Sequence, residues 1–284
     1  MLSILIPTYN YNVYPLAKEL HSQCTECDIV FEILVFDDGS KSKHNLINKK
    51  INYLDHTKFK ELPQNIGRSA IRNLLASNAK YNYLLFIDAG TFPYSNKFIE
   101  NYIMFKNKNV VCGGMTNLKK APKKPFKLRW IYTKKRESNS LCSSNFLIKK
   151  EILLKFPFDQ SIKTYGYEDV LFFNILKTNN FSIYSLNNPV THNAEDDANT
   201  FIIKTEYAIE NLLELIQKNK LNMKASKISK WFLSLNSLKL IKFTAKLFKL
   251  LKPGLVKNFN SSHPSLVLYD FYRLGYFCQL ITKK

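Results

Sequence analysis

A chain of 284 residues with 45% hydrophobic content can bury one large core and carry a smaller unit beside it, so a catalytic domain with a tail is expected. Its five cysteines are odd in number and scattered, and no basic leader or cleavage site precedes the first apolar run; this argues against a disulfide framework and for a reducing, cytoplasmic setting. A formal net charge of +20 calls for an anionic partner, whether a nucleotide, a phospholipid surface or a nucleic acid.

Ser3 to Ile6 reads as a short apolar strand stopped by Pro7, and Thr8, Tyr9 and Asn10 form a polar turn before a helix from about Val13 to Cys24. Cys24 and Cys27 have the spacing of half a zinc site, but no second pair follows, and they read as ordinary free thiols. Phe31 to Phe36 is the second strand and ends in Asp37-Asp38-Gly39-Ser40. Ile51 to Leu54 reads as a third, weaker strand, and the stretch from Gln64 to Asn73 opens a helix running to about Ser77. Tyr83 to Ile87 is an unbroken apolar run that ends on Asp88, with Gly90 and Pro93 turning the chain out of the sheet. A run of that length without alternation fits a central strand covered on both faces. The alternation of strands and helices predicts an α/β fold with a parallel sheet flanked by helices. Ligands in such sheets gather at the carboxyl ends of the strands, where Asp38 and Asp88 fall.

Beyond Asp88 a helix is expected from about Asn96 to Lys106, then a strand near Val110. The run from Lys119 to Arg136 mixes basic residues with prolines and aromatics and is expected to be a mobile loop. Ser144 to Ile148 reads as a strand, Lys150 to Lys155 as a short helix, and Tyr165-Gly166-Tyr167-Glu168-Asp169 as the opening of another helix. Phe181 to Leu186 and Asn188 to His192 follow as strand pieces, and Asn199 to Lys220 as a long helix. From Leu215 to Tyr269 there is no acid, against eleven lysines. Among them Lys239, Lys242, Lys246 and Lys249 are spaced along one face of a helix predicted from about Leu238 to Leu251, beside Leu240, Phe243, Leu247, Leu250 and Leu251. That basic amphipathic helix falls far short of the roughly twenty apolar residues that span a bilayer, and is expected to lie in the interface of an anionic membrane. Trp231 and Phe232 would anchor it further. The alternative is that its apolar face packs on the catalytic domain and its lysines are solvated.

Five pieces occur in one order: Ile6-Pro7-Thr8-Tyr9-Asn10, Asp37-Asp38-Gly39-Ser40, Asn65-Ile66-Gly67 with Arg72-Asn73, Asp88-Ala89-Gly90, and Glu168-Asp169. As a set, covering roughly Met1 to Asn211, they resemble the inverting glycosyltransferases of family 2, which include many bacterial polysaccharide and lipopolysaccharide enzymes. The resemblance implies a GT-A nucleotide-sugar-binding fold over residues 1–220, with a donor half to about 115, an acceptor half from about 140, and a basic helical tail over 221–284. It also implies a hexosyltransferase-type activity. A sugar would move from a nucleotide donor, UDP foremost, to a glycan or lipid-linked acceptor, at the inner face of the membrane.

On this resemblance Pro7, Thr8, Tyr9, Asn10 and Asp38 contact the base and ribose, Asp38 accepting the uracil imide proton or else capping its own turn. Asn65 and Gly67 would lie against the donor, Gly67 allowing close backbone approach just before a helix whose amino end favours phosphate. Arg72 either pairs with a phosphate oxygen or forms a surface salt bridge. Asp88, with Ala89 beside it, corresponds to the first acid of a metal-holding D-x-D motif, but Gly90 stands where the second acid belongs. Mg²⁺ or Mn²⁺ remains expected there, because Mg²⁺ can be held by one carboxylate together with phosphates and waters. His192 is either a further metal ligand or structural, with Asp196 and Asp197 as substitutes. Asp169 corresponds to the base that takes the acceptor proton, and Glu168 to the residue that orients the acceptor hydroxyls. Two rivals remain: a catalytically inactive scaffold of the same fold, motivated by Gly90, and a nucleic-acid-binding protein, motivated by charge. No nucleic-acid motif supports the second, and no nucleic-acid partner is expected.

Overall fold

The computed structural model describes residues 1–137, 141–224 and 226–282. In chain order the elements are β1 Leu2–Thr8, α1 Tyr14–Glu26, β2 Phe31–Asp37, α2 Asn45–Asn48, β3 Thr57–Glu61, α3 Arg68–Asn78, β4 Tyr83–Ile87, β5 Thr91–Pro93, α4 Phe98–Ile103, β6 Val110–Cys112 and β7 Met115–Asn117. They continue with α5 Lys127–Tyr132, β8 Asn145–Lys149, α6 Lys150–Lys155, α7 Glu168–Thr178, β9 Ile183–Ser185, β10 Val190–His192, α8 Ala198–Gln217, α9 Lys227–Ser237, α10 Ile241–Phe259 and α11 Leu266–Thr282. The chain packs as two compact units. One comprises Met1–Asn117, Arg136–Lys163 and Glu168–Asn193, and the other Leu118–Lys135, Thr164–Tyr167 and Ala194–Lys284.

The first unit is built on a seven-stranded sheet in the order β3-β2-β1-β4-β8-β6-β9. β3, β2, β1 and β4 run parallel, β8 is antiparallel to both β4 and β6, and β6 and β9 are parallel again. Alternate residues of the central strands enter opposite cores, which is why these strands are apolar throughout. Ile4, Ile6, Ile33, Val35, Leu85 and Ile87 enter one core, and Leu5, Leu34, Phe36, Leu84 and Phe86 the other. The parallel register sets Thr8 opposite Asp37, so the turns that follow β1 and β2 leave the same end of the sheet. A three-stranded sheet, β5-β10-β7, sits beyond Asp88 in the chain and pairs His192 with Thr91.

The third strand lies later than expected. Ile51 is held in a 3₁₀ turn, Lys49–Tyr53, and the strand is Thr57–Glu61, in which Phe59 is the one fully buried residue. An edge strand that buries a single side chain carries little hydrophobic signal, whereas Ile51 carries one without being extended. Cys24 and Cys27 are free, one inside α1 and one at its carboxyl end.

The basic run is not a loop throughout: Lys127–Tyr132, in the second unit, is helical, and a wider turn covers Thr133–Glu137. Leu128 joins Phe201, Phe248, Phe259, Tyr269 and Tyr272 in one core, and the Arg129 guanidinium lies 5.0 Å over the Phe201 ring. The dense lysines hid that apolar anchor. The tail helix also begins later than expected, because Lys239 takes a left-handed conformation (φ 59°) and Leu240 N–H donates back to the Leu235 carbonyl, closing α9. Lys239 therefore lies outside α10. One face of α10, with Thr244, Ala245, Phe248, Leu255 and Phe259, is buried, and α10 packs against α11. Lys242, Phe243, Lys246, Lys249, Leu250 and Lys257 are exposed on its remaining surface. No helix among the described residues is long and apolar enough to cross a membrane.

Candidate active site

The end of the parallel sheet is shaped first by Asp37 and Asp38. Asp37 is fully buried and accepts from Ser40 N–H (2.9 Å), Ser40 Oγ (2.6 Å) and Asn45 Nδ2 (3.1 Å), so it holds its own turn. Asp38 accepts from Ile66 N–H (2.7 Å) and Gly67 N–H (3.0 Å), which fastens the segment before α3 to the end of β2. Burial pushes the Asp38 carboxyl up, against those two amides, with Asp37 adding to the rise. Gly39 makes this packing possible. It has φ 68°, and a Cβ there would lie 2.3 Å from the Gln64 carbonyl carbon. Gly39→Ala should therefore cost about 2–4 kcal/mol, by positive φ and backbone clash together. Urea denaturation would show this as a lower midpoint with an unchanged slope.

Gly67 has φ 91°, yet a Cβ there would meet nothing within 4 Å, so its backbone faces open space just ahead of α3. Asn65 and Gly67 line a groove of about 860 Å³ with Ala70, Asn73, Gln160 and Lys163. Pro7 is half-buried, Tyr9 is exposed, and Asn10 Oδ1 accepts from Ser42 Oγ (2.8 Å). Thr8 is buried, and its hydroxyl has no partner among the described residues.

Asp88 is held on both carboxylate oxygens. Its Oδ1 accepts from Arg72 Nη2 at 2.5 Å, and its Oδ2 from Ser144 Oγ at 2.9 Å and Arg68 Nη2 at 3.4 Å. Burial alone would raise this carboxyl; the Arg72 and Arg68 guanidiniums, with Ser144 and His192, overcome it and hold it below the usual carboxylate range. Arg72 is 1% exposed, so it is a buried ion-pair partner of Asp88 and not a surface cation. Arg72 Nε and Ser69 Oγ are buried without a partner among the described residues. Ala89 and Gly90 are half-buried, and a Cβ at Gly90 would meet nothing within 4 Å, so space does not forbid a larger residue there.

Arg68 was not singled out in the sequence, although it stands four residues before Arg72 on the same face of α3. Its Nε donates to Glu168 Oε1 at 2.9 Å while its Nη2 reaches Asp88. One half-exposed guanidinium thus ties the acid after β4 to the acid that begins α7, itself 100 residues further along the chain than Arg68. Glu168 is buried, and Asp169 beside it is half-buried, with Oδ1 accepting from Val170 N–H (2.7 Å). Burial first, and the charge of Glu168 second, push the Asp169 carboxyl up to about 7, against the pull of Val170 N–H, Arg68 and Arg72. A carboxylate poised near neutral pH suits a general base.

As the side chains stand, neither carboxylate oxygen of Asp88 is open to a divalent metal, which would need Arg68 or Ser144 to move aside. Both carboxylate oxygens are taken by guanidinium or hydroxyl donors, Gly90 adds no ligand, and no group of three His, Cys, Asp or Glu among the described residues could hold an ion. His192 stands near enough to influence Asp88, paired through the strand with Thr91. The two proposed substitutes are engaged elsewhere: Asp196 binds Lys204 Nζ at 2.6 and 2.8 Å, and Asp197 caps α8 through Thr200 N–H.

The family model for glycosyl transferase family 2 matches residues 3–157. Glycosyltransferase GlyA of Streptococcus pneumoniae is 34% identical over 88 residues, which are 31% of this chain and 12% of that protein. The chain therefore matches only a small part of this relative's length. Among solved structures, S. aureus TarS 1-349 in complex with UDP-GlcNAc is similar at a TM-score of 0.53 and 18% identity, over 99% of this chain and 91% of that one. The mannosyltransferase PcManGT from Pyrobaculum calidifontis, in complex with GDP-Man and Mn²⁺, is similar at 0.61 and 13% identity, over 100% and 88%. At these identities the two structures speak to the fold.

Proposed function

Because this chain belongs to glycosyl transferase family 2 and has the GT-A fold of that family, we propose that it transfers a sugar from a nucleoside diphosphate donor, UDP-linked, to a glycan or lipid-linked acceptor with inversion. The observation that carries this reading is the link through Arg68, which brings the strand-end acid Asp88 and the helix-start pair Glu168-Asp169 into one network within a single unit. Strand-end groups serve the donor: the orphaned Thr8 hydroxyl offers a hydrogen bond that the protein leaves unfilled, Asp38 lies beside it at the sheet end, and the open space at Gly67 lets a ligand approach the backbone closely. The acceptor hydroxyl attacks the anomeric carbon from the face opposite the diphosphate. Its proton passes to the Asp169 carboxylate, the new C–O bond forms, and the bond to the diphosphate breaks with its electron pair leaving on UDP. Glu168 orients the acceptor.

The lysines and apolar side chains exposed on α10 suit an anionic membrane surface, where lipid-linked acceptors reside. On this reading the enzyme works at the inner face of the membrane, in cell-surface polysaccharide synthesis.

Calorimetric titration of the full chain with UDP, GDP and CDP tests the donor assignment. Saturable UDP binding, tighter than GDP or CDP and weakened by Asp38→Ala, is the expected result. Absence of any nucleoside diphosphate binding would leave the inactive-scaffold reading.

A further inference from the structure

Around Asp88 the protein already sets two guanidiniums against the carboxylates. Asp88 and Glu168 supply two carboxylates, and Arg68 and Arg72 two guanidiniums, joined by the contacts at 2.5, 2.9 and 3.4 Å. We propose that the guanidinium of Arg68 neutralises the diphosphate of the donor in place of a divalent cation, so that this site binds nucleoside diphosphates without metal. The inference rests on the donor-site reading above.

The two arginines are suited to different tasks. Arg72 is buried and holds the shortest contact to Asp88, with its Nε already lacking a partner. A metal taking Asp88 Oδ1 would have to displace it, stranding a buried guanidinium, a loss far larger than an exposed ion pair would suffer. Arg72 therefore secures Asp88. Arg68 is 44% exposed, and its contact to Asp88, at 3.4 Å, is the longest in the network. It is the first residue of α3, whose amino end follows the open backbone of Gly67. An anion arriving there meets a half-exposed guanidinium at the amino end of a helix, next in the chain to Ser69, whose buried hydroxyl has no partner among the described residues. A planar guanidinium can hold two phosphate oxygens at once. Gly90 fits the same picture: the space beside it would admit a larger side chain, yet the chain provides no second acid.

The test is calorimetric titration of the full chain with UDP, in EDTA and again with Mn²⁺, for the unaltered protein and for Arg68→Gln and Arg68→Lys. Equal UDP affinity in the two buffers, within about threefold, is expected. Arg68→Gln should weaken UDP roughly tenfold or more in both, with Arg68→Lys recovering part of the loss. Uridine, which lacks the diphosphate, should bind Arg68→Gln as it binds the unaltered protein, which separates loss of a phosphate contact from damage to the fold. UDP binding that appears only with Mn²⁺ overturns the proposal while leaving the donor assignment standing. So does UDP affinity in EDTA that is indifferent to Arg68→Gln. Failure of UDP to bind in either buffer overturns both.

Discussion

Asp169→Asn should leave UDP affinity intact and lower sugar transfer by on the order of a hundredfold or more, the contribution usual for a general base. The substitution is nearly isosteric, and the amide oxygen can still accept from Val170 N–H, so the local turn of α7 is kept. The unaltered enzyme should gain activity as pH rises through about 7, where the Asp169 carboxyl loses its proton. The same elevation makes a second, opposite expectation for stability. An acid whose folded-state value is raised from 3.8 to about 7 holds, between those limits, a proton that the unfolded chain releases. Its favourable contribution is full below the unfolded value and is lost as pH rises through the folded one. Removing the charge should therefore stabilise the fold at pH 8 by on the order of 2 kcal/mol, and the advantage should vanish near pH 4. Initial rates of UDP release and thermal midpoints across this range check both. A variant that keeps its rate while Glu168→Gln loses it would exchange the roles of the two acids.

The parts of the site that were legible in the sequence are those where composition changes abruptly. Tyr83 to Ile87 is apolar on both faces because the two cores need it, and its sudden end on Asp88 marks a strand end without any knowledge of its neighbours. Asp37-Asp38-Gly39 announces itself in the same way. What could not be read is what those acids touch. The two oxygens of Asp38 meet amides 28 and 29 residues away, and Arg68 meets Glu168 100 residues away, so no local pattern encodes either contact. Arg72 has the same composition signature whether it lies on the surface or is buried against Asp88; only tertiary packing decides between them. β3 and α5 were missed for the converse reason. Each buries few side chains among many lysines, and the anchoring residues, Phe59 and Leu128, are outnumbered in any window that averages them.

Replacing Lys242, Lys246, Lys249 and Lys257 together by Gln should release the protein from anionic vesicles. α10 buries Phe248 and Phe259 on one face, so those residues belong to the fold and are unavailable to lipid. Phe243 at 62% and Leu250 at 77% exposure are not needed by the core, and all four lysines are exposed beside them. A helix lying in the interface gains from burial of such apolar side chains and from the attraction of each surface lysine, worth about 1 kcal/mol at an anionic membrane. Loss of four should lower the partition coefficient by roughly a hundredfold or more, and added salt should do the same to the unaltered protein. Phe243→Ser with Leu250→Ser removes the apolar contribution and should weaken binding at any salt concentration. Lys252 is the internal control. Its Nζ binds Glu206 Oε1 at 2.8 Å and lies over the Phe248, Tyr272 and Tyr276 rings, so Lys252→Gln should lower the thermal midpoint and change vesicle binding little. The measurement is co-sedimentation with anionic and with neutral vesicles at low and high salt, alongside turnover of a soluble acceptor analogue. Turnover should survive the four-lysine change. Recovery of the unaltered protein in the supernatant under all four conditions would show that the lysines of α10 are only solvated, and would remove the membrane from the proposed function.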